Sequence, residues 1–371
     1  MGGPIAMKSN TISSYGRGVP TMRAFLAKFA LPVALLGIAG IAGSADAGGL
    51  DRIGTAGAQE LRIPVGAASI AIGGSAVALG NGIGNIYYNP ASLAAVDNAE
   101  AIVSYSTYLA DSKVNYGAVS TKVGSAGNIA LSIKVLNIGD IIVTTENAPD
   151  GTGEILNPTY SVFGLSYGRR MTDRVLLGFT ASYINEKIAQ ATAAGFAADF
   201  GVQYDTGWRG LRFGFAMKNV GPNMRFQGPD FEQRITLPGD DPTAQPHVVR
   251  LEATDFELPS YLQVGVSYDL GVSEKQHATL YGTFQGNNFS TDEYRLGAEY
   301  LIGEHLALRG GYVGQVGLKQ VDRQSDYLFS YNYGAGLNFK MGDRPLSFDW
   351  AGTHVGEFFN DNQQVSLKIA F

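Results

Sequence analysis

The chain has 371 residues, a formal net charge of −6 and no cysteine. The lack of cysteine excludes disulfides and thiolate metal sites, and the acidic balance argues against a nucleic-acid-binding protein, which would normally carry a basic patch. Only 16% of the residues are charged, whereas glycine contributes 49 residues and tyrosine and phenylalanine 19 each. The near-zero mean hydropathy is too low for a bundle of membrane helices but fits a membrane barrel, which averages an apolar outside with a polar inside.

The N-terminal stretch MRAFLAKFALPVALLGIAGIAGSADAGG predicts an export signal. Two basic residues precede an apolar run over residues 29–43, and Ala45-Asp46-Ala47 follows as a small-residue cleavage site. A run of about 15 apolar residues is short for a membrane span, so a signal peptide is favoured over a single membrane anchor. We predict that residues 1–47 are removed, that Met22 is the true start, and that the exported chain resides in the outer membrane of a Gram-negative cell.

Residues 48–98 do not show the alternation of β-strands. The stretch GAQELRIPVGAASIAIGGSAVALGNGIGNIYYNPASLAAVDNAE is dominated by small residues, and glycines interrupt each apolar run. Asn89 and Pro90 predict the start of a short helix, because asparagine caps a helix and proline suits its first turn. The residues around this cap either pack inside the protein or contact a ligand.

From residue 99 onward, apolar and polar residues alternate repeatedly with a period of two. In residues 326–340, DYLFSYNYGAGLNFK, aromatic and aliphatic residues alternate with Ser, Asn, Gly and Lys. About ten residues is the length that a tilted strand needs to cross a bilayer. The pattern predicts about fourteen strands, at 99–109, 113–123, 127–137, 159–169, 174–184, 194–205, 210–219, 258–270, 276–285, 293–301, 305–313, 326–340, 345–353 and 363–371.

The links between these segments alternate between short and long. Turns of a few residues, such as 124–126 and 170–173, alternate with longer links, of which 138–158, 220–257 and 314–325 are the longest. Long extracellular loops and short periplasmic turns are typical of outer-membrane barrels. The sequence therefore predicts an all-β fold, a transmembrane antiparallel β-barrel over residues 99–371. A soluble β-sandwich would explain the alternation within strands but not the alternation of links.

Charges of both signs fall on the face of the strands that the alternation turns inward. They predict a lumen that is solvated or filled by a paired polar plug. These residues are Lys134, Asp199, Arg212, Asp269, Arg295, Glu299, Arg309, Asp349 and Lys368.

The last seven residues, VSLKIAF, predict the closing strand of the barrel. Val365, Leu367, Ile369 and Phe371 share one apolar face, and the aromatic end is similar to that of outer-membrane proteins generally. This resemblance implies that the barrel-assembly machinery binds these four residues as a C-terminal signal. The predicted surroundings of the folded barrel are outer-membrane lipids.

The order LRIPVGAASIAIGGSAVAL, then GNIYYNPASLA, then strands and a terminal phenylalanine, resembles the PorV/PorQ family of FadL-like outer-membrane barrels. The resemblance covers nearly the whole mature chain. It implies a fourteen-stranded barrel whose lumen is filled by an N-terminal plug, residues 48–98. The residues that carry the plug motif are Gly73, Gly74, Tyr87, Tyr88, Asn89, Pro90 and Ala91.

Two functions follow from this resemblance. The PorV branch implies a barrel of type IX protein secretion, whose extracellular loops bind secreted cargo with C-terminal sorting domains and other secretion components. The apolar loop residues then offer the contact surface, unless the loop folds down as a lid over the barrel mouth. These candidates are Phe226, Phe231, Ile235, Leu237, Val248 and Val249.

The other branch implies a FadL-like channel for hydrophobic small molecules. Such a channel needs an apolar pocket between the plug and the wall. Tyr87, Tyr88, Ile70 and Ile72 are candidates to line it, although all four could equally be packing residues of the plug.

The sequence does not favour an enzyme. Its four histidines are scattered, and no serine lies in a G-x-S-x-G turn. The acidic turns lack the ligand spacing of a calcium loop. We therefore expect no catalytic residues, no cofactor, no metal and no nucleic-acid partner. An open water-filled porin would require the N-terminal segment to leave the lumen.

Deleting Phe371, or moving it out of phase with the strand, should lower insertion into the outer membrane, because the terminal aromatic belongs to the predicted assembly signal. The amount of folded protein whose gel mobility changes on heating measures this directly. Normal amounts of that form would contradict the assignment.

Overall fold

The computed structural model describes residues 52–80, 82–236, 245–273, 276–303, 305–316, 328–356 and 359–371. The predicted signal peptide and Met22 lie outside the described residues. The described part of the chain forms a closed barrel of fourteen antiparallel strands. They are β1 Glu100–Thr107, β2 Lys113–Val123, β3 Gly127–Asn137, β4 Thr159–Arg170, β5 Val175–Ile188, β6 Ala191–Asp205, β7 Leu211–Val220, β8 Tyr261–Asp269, β9 Gln276–Asn287, β10 Glu293–Ile302, β11 Leu306–Gln315, β12 Tyr331–Met341, β13 Arg344–Thr353 and β14 Asn362–Ala370.

Each strand pairs with the next one along the chain, and the first pairs with the last. In that closing pair Glu100 lies opposite Ala370 and Ser106 opposite Gln364. The Phe371 amide donates to the Ala99 carbonyl at 2.8 Å, so pairing continues to the last residue. A closed ring leaves no strand edge unpaired, which a bilayer requires. The predicted fold class and strand number are confirmed.

The strand boundaries differ from the predicted ones by a few residues. The largest difference is at β12, which was predicted from residue 326 and begins at Tyr331, where part of the preceding link lies outside the described residues. Between β6 and β7 the register shifts at Ala198 and Phe200. Elsewhere the period-two pattern located the strands closely, because each strand has one apolar face turned outward.

The outer surface of the barrel is apolar. On β3 the outward-facing Leu131 is 60% exposed, while its neighbour Ala130 is buried. On β4 Leu165 is 54% exposed and Ser166 is buried. An apolar surface of this kind belongs in lipid rather than water.

No helix among the described residues is long and apolar enough to cross a membrane.

The inward-facing charges are mostly paired within the barrel. Arg309 bonds to Glu299 at 2.5 Å and to Asp349 at 2.6 Å. Two of the predicted lumen charges lie instead near the short-turn rim. There Arg212 pairs with Asp205, and Asp269 lies 3.5 Å from His277, all with side chains more than a third exposed.

The long links carry small elements of their own. Strands Ile141–Ile142 and Ile155–Leu156 pair in one link, and Glu232–Ile235 and His247–Arg250 pair in another. In the second link, Phe226–Gln227 also pairs with β6. The link between β7 and β8 is therefore anchored to the barrel at its base.

Residues 52–99, which we call the N-terminal segment, contain only short helices. These are 3₁₀ turns at Gln59–Arg62, Gly82–Asn85 and Pro90–Ala95 and one α-helix at Ala67–Ala71. Asn89 caps the last turn as predicted, with its side chain accepting from the Ala91 amide at 3.0 Å. Most of the segment from residue 58 to residue 96 is buried. That the segment closes the lumen as a plug stays a prediction.

Inward-facing glycines let the backbone of this segment approach the strands. A Cβ atom at Gly178 on β5 would lie 2.1 Å from the Pro90 carbonyl carbon. A Cβ atom at Gly201 on β6 would lie 2.0 Å from Asn89 Oδ1. Real Cβ atoms do not approach so closely, so these two positions require glycine for the observed packing.

Gly178→Val should displace the Pro90 turn and lower the free energy of unfolding by about 1–3 kcal/mol or more, as overpacking does. Gly310→Val is the matched control, because Gly310 faces outward and a Cβ there meets no atom within 4 Å. Urea unfolding in lipid vesicles, followed by gel mobility, measures both variants. Equal stability of the two would contradict the close-approach argument.

Candidate functional site

A cavity of about 440 Å³ lies between the N-terminal segment and the strand ends that lead into the longer links. Its wall includes Leu136 near the end of β3, Tyr261 at the start of β8 and Gln315 at the end of β11. We call this space the outer cavity. Its floor is formed by Ile63, Pro64, Ile70, Gly73, Gly74, Tyr87 and Tyr88.

The outer cavity has both apolar and polar surfaces. Aliphatic and aromatic side chains form the floor and extend up the wall at Leu136, Tyr160 and Val313. The polar side chains come from the inner faces of the strands around the mouth. They include Gln263, Gln285, Glu293, Arg295, Asn332, Asn362 and Gln364.

Tyr87 and Tyr88 are held rigidly in the floor. Their rings meet edge to face with centroids 5.0 Å apart, and the Tyr87 hydroxyl donates to the Leu61 carbonyl at 2.9 Å. Burial raises the pKa of both phenols above the usual range, so they stay protonated. Edge-to-face packing and the hydroxyl bond together fix the orientation of both rings.

Two buried lysines bind the floor from the wall. Lys134 Nζ on β3 donates to the Leu61 and Ile63 carbonyls at 3.4 and 3.2 Å. Lys218 Nζ on β7 donates to the Tyr87 carbonyl at 2.7 Å and pairs with Asp199 at 2.5 Å. The two ammonium groups also lie 4.7 and 5.2 Å from the centroid of the Tyr87 ring. Hydrogen bonds from charged donors are the stronger ones, so these lysines tie the N-terminal segment to the barrel.

A second cavity of about 50 Å³ lies beyond Tyr87, which lines both spaces. Apart from Leu61, Ile86 and Val162, its lining is mainly polar. The polar lining consists of Tyr116, Ser132, Lys134, Ser166, Thr180, Ser182, Asp199, Lys218 and Asn219. This volume suits one or two water molecules rather than a larger solute.

Glu60 is a buried acid at the edge of the outer cavity, with 2% of its surface exposed. Burial raises the pKa of its carboxyl above the ordinary 4.5, although the neighbouring Glu186 side chain and the charge of Lys134 act in the opposite direction. The cost of removing a carboxylate from water therefore outweighs the favourable contacts.

The predicted plug residues divide between two roles. Gly73, Gly74, Tyr87 and Tyr88 line the outer cavity. Asn89, Pro90 and Ala91 pack against the wall, where Asn89 Nδ2 donates to the Val77, Val202 and Phe215 carbonyls at 2.7, 3.1 and 3.3 Å.

Of the two isoleucines predicted to line a pocket, Ile70 does so. Ile72 packs away from the cavity against Ala76, Tyr88 and Tyr281.

Sequence reasoning missed most of the polar wall. Gln263, Gln285 and Glu293 carried only one signal, their inward phase on a strand, and that phase is shared with many structural residues. Arg62 lies in a 3₁₀ turn, where no strand phase applies.

The loop candidates do not form one exposed patch. Phe226 is half-buried and packs against Phe256, with ring centroids 5.7 Å apart, over a cluster that includes Leu61 and Ile184. Phe231, Ile235 and Val249 are also partly covered, whereas Val248 is 60% exposed. Leu237 lies outside the described residues. A partner-binding role for this set stays a prediction.

Within the described ranges, no group of three or more histidine, aspartate and glutamate side chains is placed to hold a metal ion.

Known structures share this fold at low sequence identity. The Pseudomonas putida toluene transporter TodX aligns with a TM-score of 0.53 and 12% identity over 82% of this chain and 96% of that one. The monoaromatic hydrocarbon channel CymD aligns with a TM-score of 0.50 and 12% identity over 83% and 97%. A Pseudomonas aeruginosa FadL homologue aligns with a TM-score of 0.49 and 11% identity over 83% and 98%. The sequence matches no protein-family model and no curated protein.

These likenesses are likenesses of fold. TodX and CymD share the barrel fold, while the resemblance to the PorV/PorQ family of FadL-like barrels and the associated secretion role stay predictions.

Glu60→Gln should flatten the pH dependence of stability. Above the ordinary value of 4.5 the unfolded chain releases a proton that folded Glu60 retains, so the unfolding free energy of the natural chain falls as pH rises. Removing this titration should leave the variant more stable than the natural chain at pH values well above 4.5. Urea unfolding in vesicles at several pH values measures it. Glu146→Gln, at an exposed loop position, is the control. If the unfolding free energies of the natural chain and both variants changed with pH in parallel, this effect of burial would be contradicted.

Proposed function

We propose that this barrel binds hydrophobic small molecules in the outer cavity and conducts them across the outer membrane. The observation that carries this proposal is the cavity itself, which has an apolar and aromatic floor and lies at the strand ends that lead into the longer links. Ligand sites for small molecules are concave, largely apolar and supplied with a few oriented polar groups.

Placement in the outer membrane is part of this proposal. It is supported by the apolar outer surface of a closed antiparallel barrel and by the predicted signal peptide. On this orientation, the long links face the cell exterior and the outer cavity opens toward them.

The fold likeness is compatible with this function but does not establish it. TodX is a toluene transporter and CymD a monoaromatic hydrocarbon channel, and both share the barrel at 12% identity. Cargo binding in type IX secretion has no comparable support, because its candidate loop residues are mostly covered in the folded chain.

Val313→Trp should abolish uptake of a hydrophobic probe. Val313 is 3% exposed and lines the outer cavity, so an indole at this position fills space that the probe would occupy. Leu308→Trp is the matched control on the same strand, because Leu308 faces outward and is 46% exposed. The measurement is the initial uptake of radiolabelled toluene by Gram-negative cells that lack other hydrocarbon channels and contain a cytoplasmic toluene-oxidising enzyme as a sink.

Cells with the natural barrel and with Leu308→Trp should take up toluene faster than cells with no barrel or with Val313→Trp. An uptake rate that does not depend on the barrel would overturn the proposed function. A crosslinked pull-down from the same membranes distinguishes small-molecule transport from cargo binding. Recovery of surface proteins sharing a C-terminal β-domain would favour the secretion role.

A further inference from the structure

A chain of side-chain amides runs along one side of the outer cavity, on β8 and β9. Gln263 Nε2 donates to Gln285 Oε1 at 2.7 Å, and Gln285 Nε2 donates to Asn287 Oδ1 at 2.8 Å. Asn287 Nδ2 then donates to the Thr291 carbonyl at 2.7 Å. Each amide therefore presents its nitrogen to the next oxygen in the chain.

The donor-to-acceptor direction of this row of amide hydrogen bonds is set at the Asn287 end. A backbone carbonyl accepts from Asn287 Nδ2, and Arg62 Nη2, which can only donate, lies 3.5 Å from Asn287 Oδ1. With Asn287 fixed, the two glutamines follow. The chain therefore ends at Gln263 Oε1, which is buried and has no hydrogen-bond partner in the folded protein.

Tyr88 brings a second unpartnered oxygen to the same side. Its residue is 3% exposed, and its hydroxyl is buried without a hydrogen bond. The Tyr88 ring lies close to β10, because an added Cβ at Gly74 would contact Arg295 Nη1 at 2.6 Å and the Tyr88 ring at 3.3 Å. Across the cavity, Gln364 Oε1 on β14 is a third buried oxygen without a partner.

The nearby positive charges are already engaged by an acid. Arg62 and Arg295 bond to opposite oxygens of Glu293 at 3.2 and 2.5 Å. Arg62 also donates to Ser290 at 2.9 Å, and Arg295 to the Gly73 carbonyl at 3.3 Å. At Gln263, Gln364 and Tyr88 the groups without a protein partner are thus amide oxygens, which only accept, and a phenol, which accepts or donates.

A pure hydrocarbon would leave these buried oxygens unsatisfied, and a carboxylate, which only accepts hydrogen bonds, cannot donate to Gln263 Oε1 or Gln364 Oε1. A single hydroxyl can donate to one amide oxygen and accept from the phenol. We propose that the outer cavity selects an uncharged amphipathic molecule, an apolar or aromatic body bearing a hydroxyl that donates to Gln263 Oε1 beside Tyr88. The body lies on the apolar floor at Ile63 and Ile70. This inference rests on the proposed function and names the class of molecule that the same cavity takes.

The test compares three probes that differ in a single substituent: toluene, 4-methylphenol and 4-methylbenzoate. Equilibrium dialysis against the barrel in lipid nanodiscs, with empty nanodiscs subtracted, gives the affinity of each probe free of lipid partitioning. 4-Methylphenol should bind about tenfold more tightly than toluene, which is the effect of satisfying one buried acceptor. It should also bind more tightly than 4-methylbenzoate.

Two variants connect this preference to the named oxygens. Gln263→Met removes the amide at nearly constant volume, and Tyr88→Phe removes a hydroxyl that has no protein partner. Each should reduce the preference for 4-methylphenol over toluene while toluene binding persists. Tyr116→Phe is the control, because Tyr116 is a buried tyrosine that does not line the outer cavity, and it should keep the full preference.

The outcomes separate this inference from the proposed function. Toluene or 4-methylbenzoate binding as tightly as 4-methylphenol would overturn the selectivity while leaving a hydrophobic-molecule site in place. An unchanged preference in both Gln263→Met and Tyr88→Phe would overturn the assignment to these oxygens. Binding of no probe above empty nanodiscs would overturn the inference and the cavity's proposed function together.

Discussion

The close approach of two backbones is the constraint on which the rest of this structure depends. The N-terminal segment passes so near the barrel wall that Cβ atoms at Gly178 and Gly201 would overlap Pro90 and Asn89. Because these glycines have no side chain, the Asn89 amide comes close enough to donate to carbonyls of two neighbouring strands, at Val202 and Phe215. Contact on this scale fixes the height of the segment in the barrel, and the height of the segment sets the floor of the outer cavity.

The barrel was predictable because its physics is local and repetitive. Each strand carries an apolar outer face and a smaller or polar inner face, so a period of two located the strands without knowledge of their partners. The alternation of short and long links fixed the order of pairing, and VSLKIAF marked the strand that closes on β1. The Asn89 cap was predictable for the same reason, since it involves residues two apart.

The site was less predictable because its contacts join distant parts of the chain. Strand phase placed Lys134 on the inward face, and nothing in the sequence pairs Lys134 or Lys218 with carbonyls at Leu61 and Tyr87. Similarly, Gln263 depends for its orientation on Arg62, a residue some 200 positions earlier in an irregular segment. The position of a residue in the period-two pattern of its strand predicts which side of the barrel wall it faces. It does not predict which backbone segment lies opposite.

In the proposed function, binding in the outer cavity and passage beyond it are physically separate events. A molecule can occupy the outer cavity without disturbing the floor, because the floor is held from behind by Lys134 and Lys218. Movement past Tyr87 requires its ring to leave the two ammonium groups and its hydroxyl to leave the Leu61 carbonyl. Cation–π contacts contribute about 0.5–2 kcal/mol each and a neutral hydrogen bond about 0.5–1.5 kcal/mol, so this step is costly compared with entry. In the proposed function, the cavity therefore sets which molecules bind, whereas the contacts behind Tyr87 set how fast they leave toward the other side.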